Sequence, residues 1–403
     1  MNQPNNLTLN KSTINDTSAS RIKLLTYMMF FVFAMTSDAV GVIIPQLIET
    51  YNLNLTQASA FHYVPMLFIA LSGLFLGYLA DKLGRKVTIV IGLLLFSIAC
   101  FLFSAGNSFF YFLSLLALIG VAVGLFKTGA LALIGDISSS GKEHTATMNK
   151  VEGFFGIGAM VGPAIVSYLL ITGVSWKYLY ISAGILCLLL CLVAMKTKYP
   201  VTKQNTEGKI NLKSSLNVMK DPYAIGFSLA IALYVATEVA IYVWMPTLLA
   251  DYNGSFVWLA TYALTIFFAL RAGGRFLGVW MLKHFSWQKV IFWFSFAVFL
   301  CYLGTALFGV EIAVVLLPLS GLFMSVIYPT LNSKGISHFP QSKHGAIAGV
   351  ILFFTAVSAA IAPLLMGVVS DLFGHVSYGF YLATFFSAIL ALAAIYNLIV
   401  DPT

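Results

Sequence analysis

The stretch LALIGVAVGLFKTGALALIG (residues 116–135) contains a single charged residue, Lys127. At 1.5 Å per residue, a helix of this length covers about 30 Å, the thickness of bilayer hydrocarbon. A helix on the surface of a soluble domain keeps a polar face toward water, and this one has none. The neighbouring sequence repeats the pattern. Twelve apolar runs follow one another near 25–48, 58–80, 88–106, 109–135, 148–171, 175–195, 223–250, 256–282, 289–308, 311–332, 344–369 and 377–400. Hydrophobic residues make up 60% of the chain and Asp, Glu, Lys and Arg only 9%, against about a quarter charged in a soluble domain. The sequence therefore predicts an all-α membrane protein of twelve transmembrane helices.

The net charge of +8 does not point to nucleic acid, because of where the basic residues fall. Of the 22 Lys and Arg, Lys127, Arg271 and Arg275 lie inside spans and Lys177 in an odd-numbered connection. The others lie in the N-terminal tail and the even-numbered connections. This asymmetry predicts that both termini are cytoplasmic. Residues 1–22 carry no apolar signal-peptide region and read as a polar tail. Cys100, Cys187, Cys191 and Cys301 all fall within spans. Cys187 and Cys191 share a helix face, but with no His or acidic partner near them they read as packing.

The longest connection, KTKYPVTKQNTEGKINLKSSLNVMKDP (196–222), carries lysines and divides the spans into two sets of six. The two sets resemble each other. GLFLGYLADK (73–82) returns as GRFLGVWMLK (274–283), and GLFKT (124–128) as GLFMS (321–325). VEGFFGIGAMVGPAIV (151–166) echoes VILFFTAVSAAIAPLL (350–365). Three matches in one order, each about 200 positions on, predict two pseudo-symmetric six-helix bundles: an N-terminal bundle at 23–196, a linker at 197–222 and a C-terminal bundle at 223–403. Parallel repeats of this kind place a substrate site at mid-membrane between the halves.

GYLADKLGRK (77–86), in the connection after the second span, resembles motif A of the major facilitator superfamily. Gly77 permits close helix approach, Asp81 accepts hydrogen bonds from a neighbouring helix start, and Gly84, Arg85 and Lys86 complete the motif. The resemblance implies a cytoplasmic gate that holds an outward-open state. NKVEGFFGIGAMVGP (149–163), YVATEVAIYVWMPTLL (234–249) and SVIYPTLNS (325–333) are similar to the fucose and glucose/galactose proton-symporter branch. That branch usually carries a glutamate in span four with an asparagine four residues later; here Lys127 and Leu131 stand there.

Ionisable groups at mid-membrane cost roughly 2.5–3.5 kcal/mol on insertion scales and so point to function. Asp38 in span one, Lys127 in span four, Glu238 in span seven, and Arg271 and Arg275 one turn apart in span eight stand out. The resemblance implies that spans one, four, seven and ten line the cavity. Asp38 and Lys127 are expected to pair, because burial disfavours either charge alone. Asp38 and Glu238 are the expected proton sites, with Lys127, Arg271 and Arg275 as substrate contacts or charge partners. Glu152 and Asp136 lie nearer the span ends. These five charges sum to one positive too many, which is met by a neutralised group or by an anionic substrate. Tyr234 and Tyr242 flank Glu238 on one face, and Tyr328 and Asn332 form a similar pair in span ten; rings beside hydrogen-bonding groups suit a sugar.

The six histidines are scattered, and neither a metal-ligand pair nor a P-loop is present, so neither an enzyme nor an ATP-driven pump is expected. The reading is a proton-coupled importer of a small polar, sugar-like solute, working as a monomer in a bacterial-type inner membrane. No cofactor is called for beyond the coupling proton, with sodium the alternative ion. An anionic metabolite is the alternative substrate. Drug efflux is a further alternative, although GAMVGPAIVS (158–167) lacks the longer glycine motif of drug antiporters.

Overall fold

The computed structural model describes residues 16–76, 82–138, 141–200, 219–339 and 344–400, and these form helices without a strand among them. The first half contains α1 (Asp16–Ser37), α2 (Val40–Tyr51), α3 (Leu55–Leu76), α4 (Arg85–Leu102), α5 (Phe109–Ile137), α6 (Gly141–Ile171) and α7 (Lys177–Lys196). The second contains α8 (Pro222–Leu248), α9 (Val257–Thr261), α10 (Ala263–His284), α11 (Trp287–Phe308), α12 (Val310–Met324), α13 (Ile327–Ser337), α14 (His344–Phe373) and α15 (Ser377–Val400). Eleven helical segments among the described residues have the length and hydropathy of a spanning helix. α3, 22 residues long and without Asp, Glu, Lys or Arg, supplies the twelfth. The protein is a multi-pass membrane protein.

Two spans are broken where the sequence predicted continuous helices. Span one divides at Asp38 and Ala39 into α1 and α2, and span ten divides at Ser325 and Val326 into α12 and α13. Span eight begins later than predicted, at Ala263, because the short α9 takes up the start of that run. Most of the predicted linker, 201–218, lies outside the described residues.

Helix neighbours repeat between the halves. Spans one and five, two and four, three and four, and three and six pack together; so do seven and eleven, eight and ten, nine and ten, and nine and twelve. Without a hydrophobic drive between helices in lipid, such packing depends on small residues that admit close backbones. The matched motifs supply them. A Cβ on Gly124 of span four would meet Ser72 Oγ at 1.6 Å and Ile69 O at 3.1 Å of span two. A Cβ on the equivalent Gly321 of span ten would meet Phe267 O of span eight at 2.3 Å. Among the described residues, the main helix packing between the halves is of spans two and eleven, of spans five and eight, and of α2 of span one against span seven.

Candidate functional site

The break in span one places Asp38 where the backbone leaves the helical ladder, and its side chain is buried. Ser37 Oγ donates to Asp38 Oδ1 at 3.3 Å, while Oδ2 is buried without a partner. Arg271 and Glu238 of the opposite half lie within electrostatic reach of this carboxylate, as does Lys127. Glu238 and Arg271 form a close ion pair, Oε1 to Nη2 at 2.6 Å. Tyr234, one turn before Glu238, donates to the same Oε1 at 2.9 Å and to Met324 O at 3.0 Å. Spans seven, eight and ten are thereby tied together at the break in span ten.

The expected pairing of Asp38 with Lys127 is therefore corrected. Among the described residues no ion pair links them; the ammonium of Lys127 instead lies 5.3 Å from the ring centroids of both Phe30 and Phe33. Cation–π contacts of this kind are worth roughly 0.5–2 kcal/mol and leave the charge in place. Arg271, for which the sequence suggested no specific partner, holds Glu238. Lateral position decided this: spans seven and eight belong to one half and touch, which brings Arg271 and Glu238 together.

Arg275, one turn below Arg271, makes no hydrogen bond or ion pair among the described residues, and its Nε is buried without a partner. Glu152 of span five is exposed and within electrostatic reach of Lys127, Arg275 and Tyr328. Residues of spans four, five, eight and ten thus lie within electrostatic reach of one another through Glu152, and Tyr328 and Asn332 are half-buried on α13. On the aromatic face expected on span seven, Tyr234 is buried and Tyr242 is half-buried. Tyr234 is only 1% exposed. The Tyr242 ring packs against His62 at 5.4 Å and Phe268 at 6.4 Å. Among the described residues no His, Cys, Asp and Glu group has a metal-binding arrangement.

Of the gate motif, Gly77 and Asp81 lie outside the described residues. Gly84 takes φ +89°, a conformation that suits glycine, and begins α4. Arg85 Nε reaches Asp136 Oδ2 at 3.2 Å, at the end of span four. Lys86 Nζ donates to Met195 O at 2.6 Å and Thr197 O at 3.1 Å, at the end of span six. Both basic residues thus brace the first half at the face carrying the termini.

The opposite face carries a contact that sequence reasoning missed. Asp371, near the end of span eleven, accepts from Leu55 N at 2.8 Å, Thr56 N at 2.7 Å and Thr56 Oγ1 at 2.5 Å. A carboxylate from the second half thereby caps the first turn of span two in the first half, where orphan N–H groups and the helix dipole favour a negative charge. Ser167 Oγ donates to Thr261 O at 2.9 Å, also between halves at this face. Gly41 of α2 lies so close to span seven that a Cβ would meet Tyr242 O at 1.8 Å. The halves are closed away from the termini. The only local signal for the cap was an acid at the end of a span, which does not name its partner.

The chain is 24% identical over 398 residues to the L-fucose-proton symporter of Escherichia coli (strain K12), covering 86% of each chain. It is also 24% identical over 381 residues to the quinolone resistance protein NorA of Staphylococcus aureus (strain MRSA252), covering 90% of this chain and 92% of that one. A crystal structure of a bacterial homologue of the human lysosomal transporter Spinster, inward-facing and occupied, superposes with a TM-score of 0.78 at 14% identity, covering 95% and 97% of the two chains. Residues 26–363 match the Major Facilitator Superfamily. On that match, and on the repeated twelve-span fold, the chain belongs to the Major Facilitator Superfamily and is a transporter.

Proposed function

We propose that this transporter couples a proton to the movement of a small polar solute by alternating access, with the terminal face toward the cytoplasm of a bacterial cell. The observation that carries this reading is a buried Asp38 carboxylate with one unpartnered oxygen, within electrostatic reach of the Glu238–Arg271 pair of the other half. Asp38 has one buried, unpartnered oxygen, and a buried ionised carboxylate is costly unless paired. A proton relieves that cost, and separation of the halves changes how near Arg271 lies. Occupancy of Asp38 is thus linked to the conformational equilibrium, which any ligand shifts by its difference in affinity for the two states. Glu238, already paired inside its own half, serves as the counter-ion that keeps Arg271 in place. The similarity to the fucose symporter supports uptake; the equal identity to NorA keeps export as the second reading.

The test uses the purified chain in proteoliposomes with an entrapped pH dye, challenged with L-fucose, D-galactose, D-gluconate and D-galacturonate. An inward proton gradient is expected to drive accumulation of at least one of them. Asp38→Asn is expected to abolish accumulation while leaving solute exchange intact. If none accumulates under a pH gradient and one does under a sodium gradient, proton coupling is wrong. Equal accumulation by Asp38→Asn would remove the proton from this residue.

A further inference from the structure

The charged side chains that spans one, four, five, seven and eight bring within electrostatic reach of one another balance, three cations against three anions. Lys127, Arg271 and Arg275 face Asp38, Glu238 and Glu152. Only Arg271 and Glu238 are joined in a direct ion pair among these six. The two remaining cations come from opposite halves. Among the described residues, Lys127 has the rings of Phe30 and Phe33 beside its ammonium and no ion pair, and Arg275 makes no hydrogen bond or ion pair. Glu152, exposed, lies within electrostatic reach of both.

Placing the coupling proton on Asp38 removes one negative charge from this set and leaves one positive in excess. A low-dielectric site closed around an unmatched charge is disfavoured, so the solute that lets the halves close is one that brings a single negative charge. We infer that the solute is a small monoanionic hydroxy acid of the sugar-acid type, its carboxylate between Lys127 and Arg275, and that it crosses with one proton as an electroneutral pair. Asn332 and Tyr328, the latter hydrogen-bonded to Thr355, are half-buried on α13 and would serve its hydroxyls. Of the rings on span seven, Tyr234 is buried and bonded to Glu238, and Tyr242 is half-buried against His62 and Phe268. The groups facing Asp38 are Ser37 on its own span, Lys127 on span four, Glu238 and Tyr242 on span seven, and Arg271 on span eight. The inference rests on the proton reading of Asp38 for its stoichiometry, whereas the anion site rests on Lys127 and Arg275 alone.

The experiment measures thermal stabilisation of the full-length protein in detergent by D-galacturonate and D-gluconate, against L-fucose and D-galactose at equal concentration. A ligand that binds only the folded state stabilises it in proportion to the logarithm of concentration over Kd. The acids are expected to stabilise and the neutral hexoses not to. Lys127→Gln and Arg275→Gln are each expected to weaken the acid response at least about tenfold, while Lys127→Arg retains most of it. Size-exclusion of each unliganded variant checks that it folds, and either Gln variant suffices. In proteoliposomes the acid is expected to carry protons inward at a rate insensitive to membrane potential. Stabilisation by the neutral hexoses that survives Lys127→Gln overturns the anion site and leaves the carrier standing, as does the absence of any response to either acid. Acids that stabilise but move no protons uphold the site and overturn the electroneutral pair together with the proton reading.

Discussion

Replacing Asp371 with Ala removes a contact that exists only while the halves meet at the face away from the termini. The carboxylate accepts two backbone N–H groups at 2.7 and 2.8 Å and the Thr56 hydroxyl at 2.5 Å. Capping side chains are worth about 0.5–2 kcal/mol, and hydrogen bonds to charged groups about 1.5–3 kcal/mol. Asp371 is partly exposed, so water replaces some of what is lost, and a net cost of about 2 kcal/mol follows. At 1.4 kcal/mol per factor of ten the closed-to-open ratio at this face falls about 30-fold; a ratio of roughly 100:1 becomes about 3:1. Asp371→Asn keeps an acceptor without the charge, so its effect is expected to be smaller. Nitroxides on Ser108→Cys and Ser255→Cys, both exposed and on different halves at this face, report the separation by double electron–electron resonance. The native cysteines are buried. A long-distance population that grows in Asp371→Ala, and less in Asp371→Asn, is expected. Identical distance distributions in all three proteins would refute the assignment of the cap as a conformational latch.

Gly41→Ala forces a Cβ against Tyr242 O. Overpacking costs about 1–3 kcal/mol, so the same label pair should shift in the same direction as for Asp371→Ala; an unchanged distribution would mean that span one yields without opening. Glu238→Ala strands the Arg271 guanidinium in the interior, at about 3–5 kcal/mol for a buried pair broken on one side. Thermal unfolding should show Glu238→Ala markedly less stable than the double variant Glu238→Ala/Arg271→Gln; equal stabilities would deny the pair that role. Trp244→Phe loses the 3.1 Å bond from Nε1 to Pro363 O, with an expected cost of about 1 kcal/mol read as a lowered unfolding temperature without change in the label distances. A shift in those distances would give Trp244 a part in gating.

Membrane insertion made most of this fold legible in the sequence. With backbone polar groups unable to find water in hydrocarbon, each apolar run of about 20 residues has to be a helix, and residues 377–400 were placed to the residue. The repeat of GLFKT as GLFMS predicted two like halves, and Gly124 and Gly321 make equivalent backbone approaches. The buried charges were legible as well, since each is expensive enough to stand out in such a composition.

What those charges touch was decided only by the tertiary structure. A run of apolar residues carries little information about how its helix is rotated or which helix stands beside it. Depth along the membrane suggested Asp38 with Lys127, while the packing of span seven on span eight joined Glu238 to Arg271. The breaks at Asp38–Ala39 and Ser325–Val326 fall inside runs that read as single spans, and the cap of Asp371 on Thr56 joins residues from opposite halves. The sequence by itself determined that the chain crosses a bilayer twelve times in two related halves with ions inside it. The assembled halves determined which ions are satisfied, because partners so far apart along the chain meet only when two helices lie side by side.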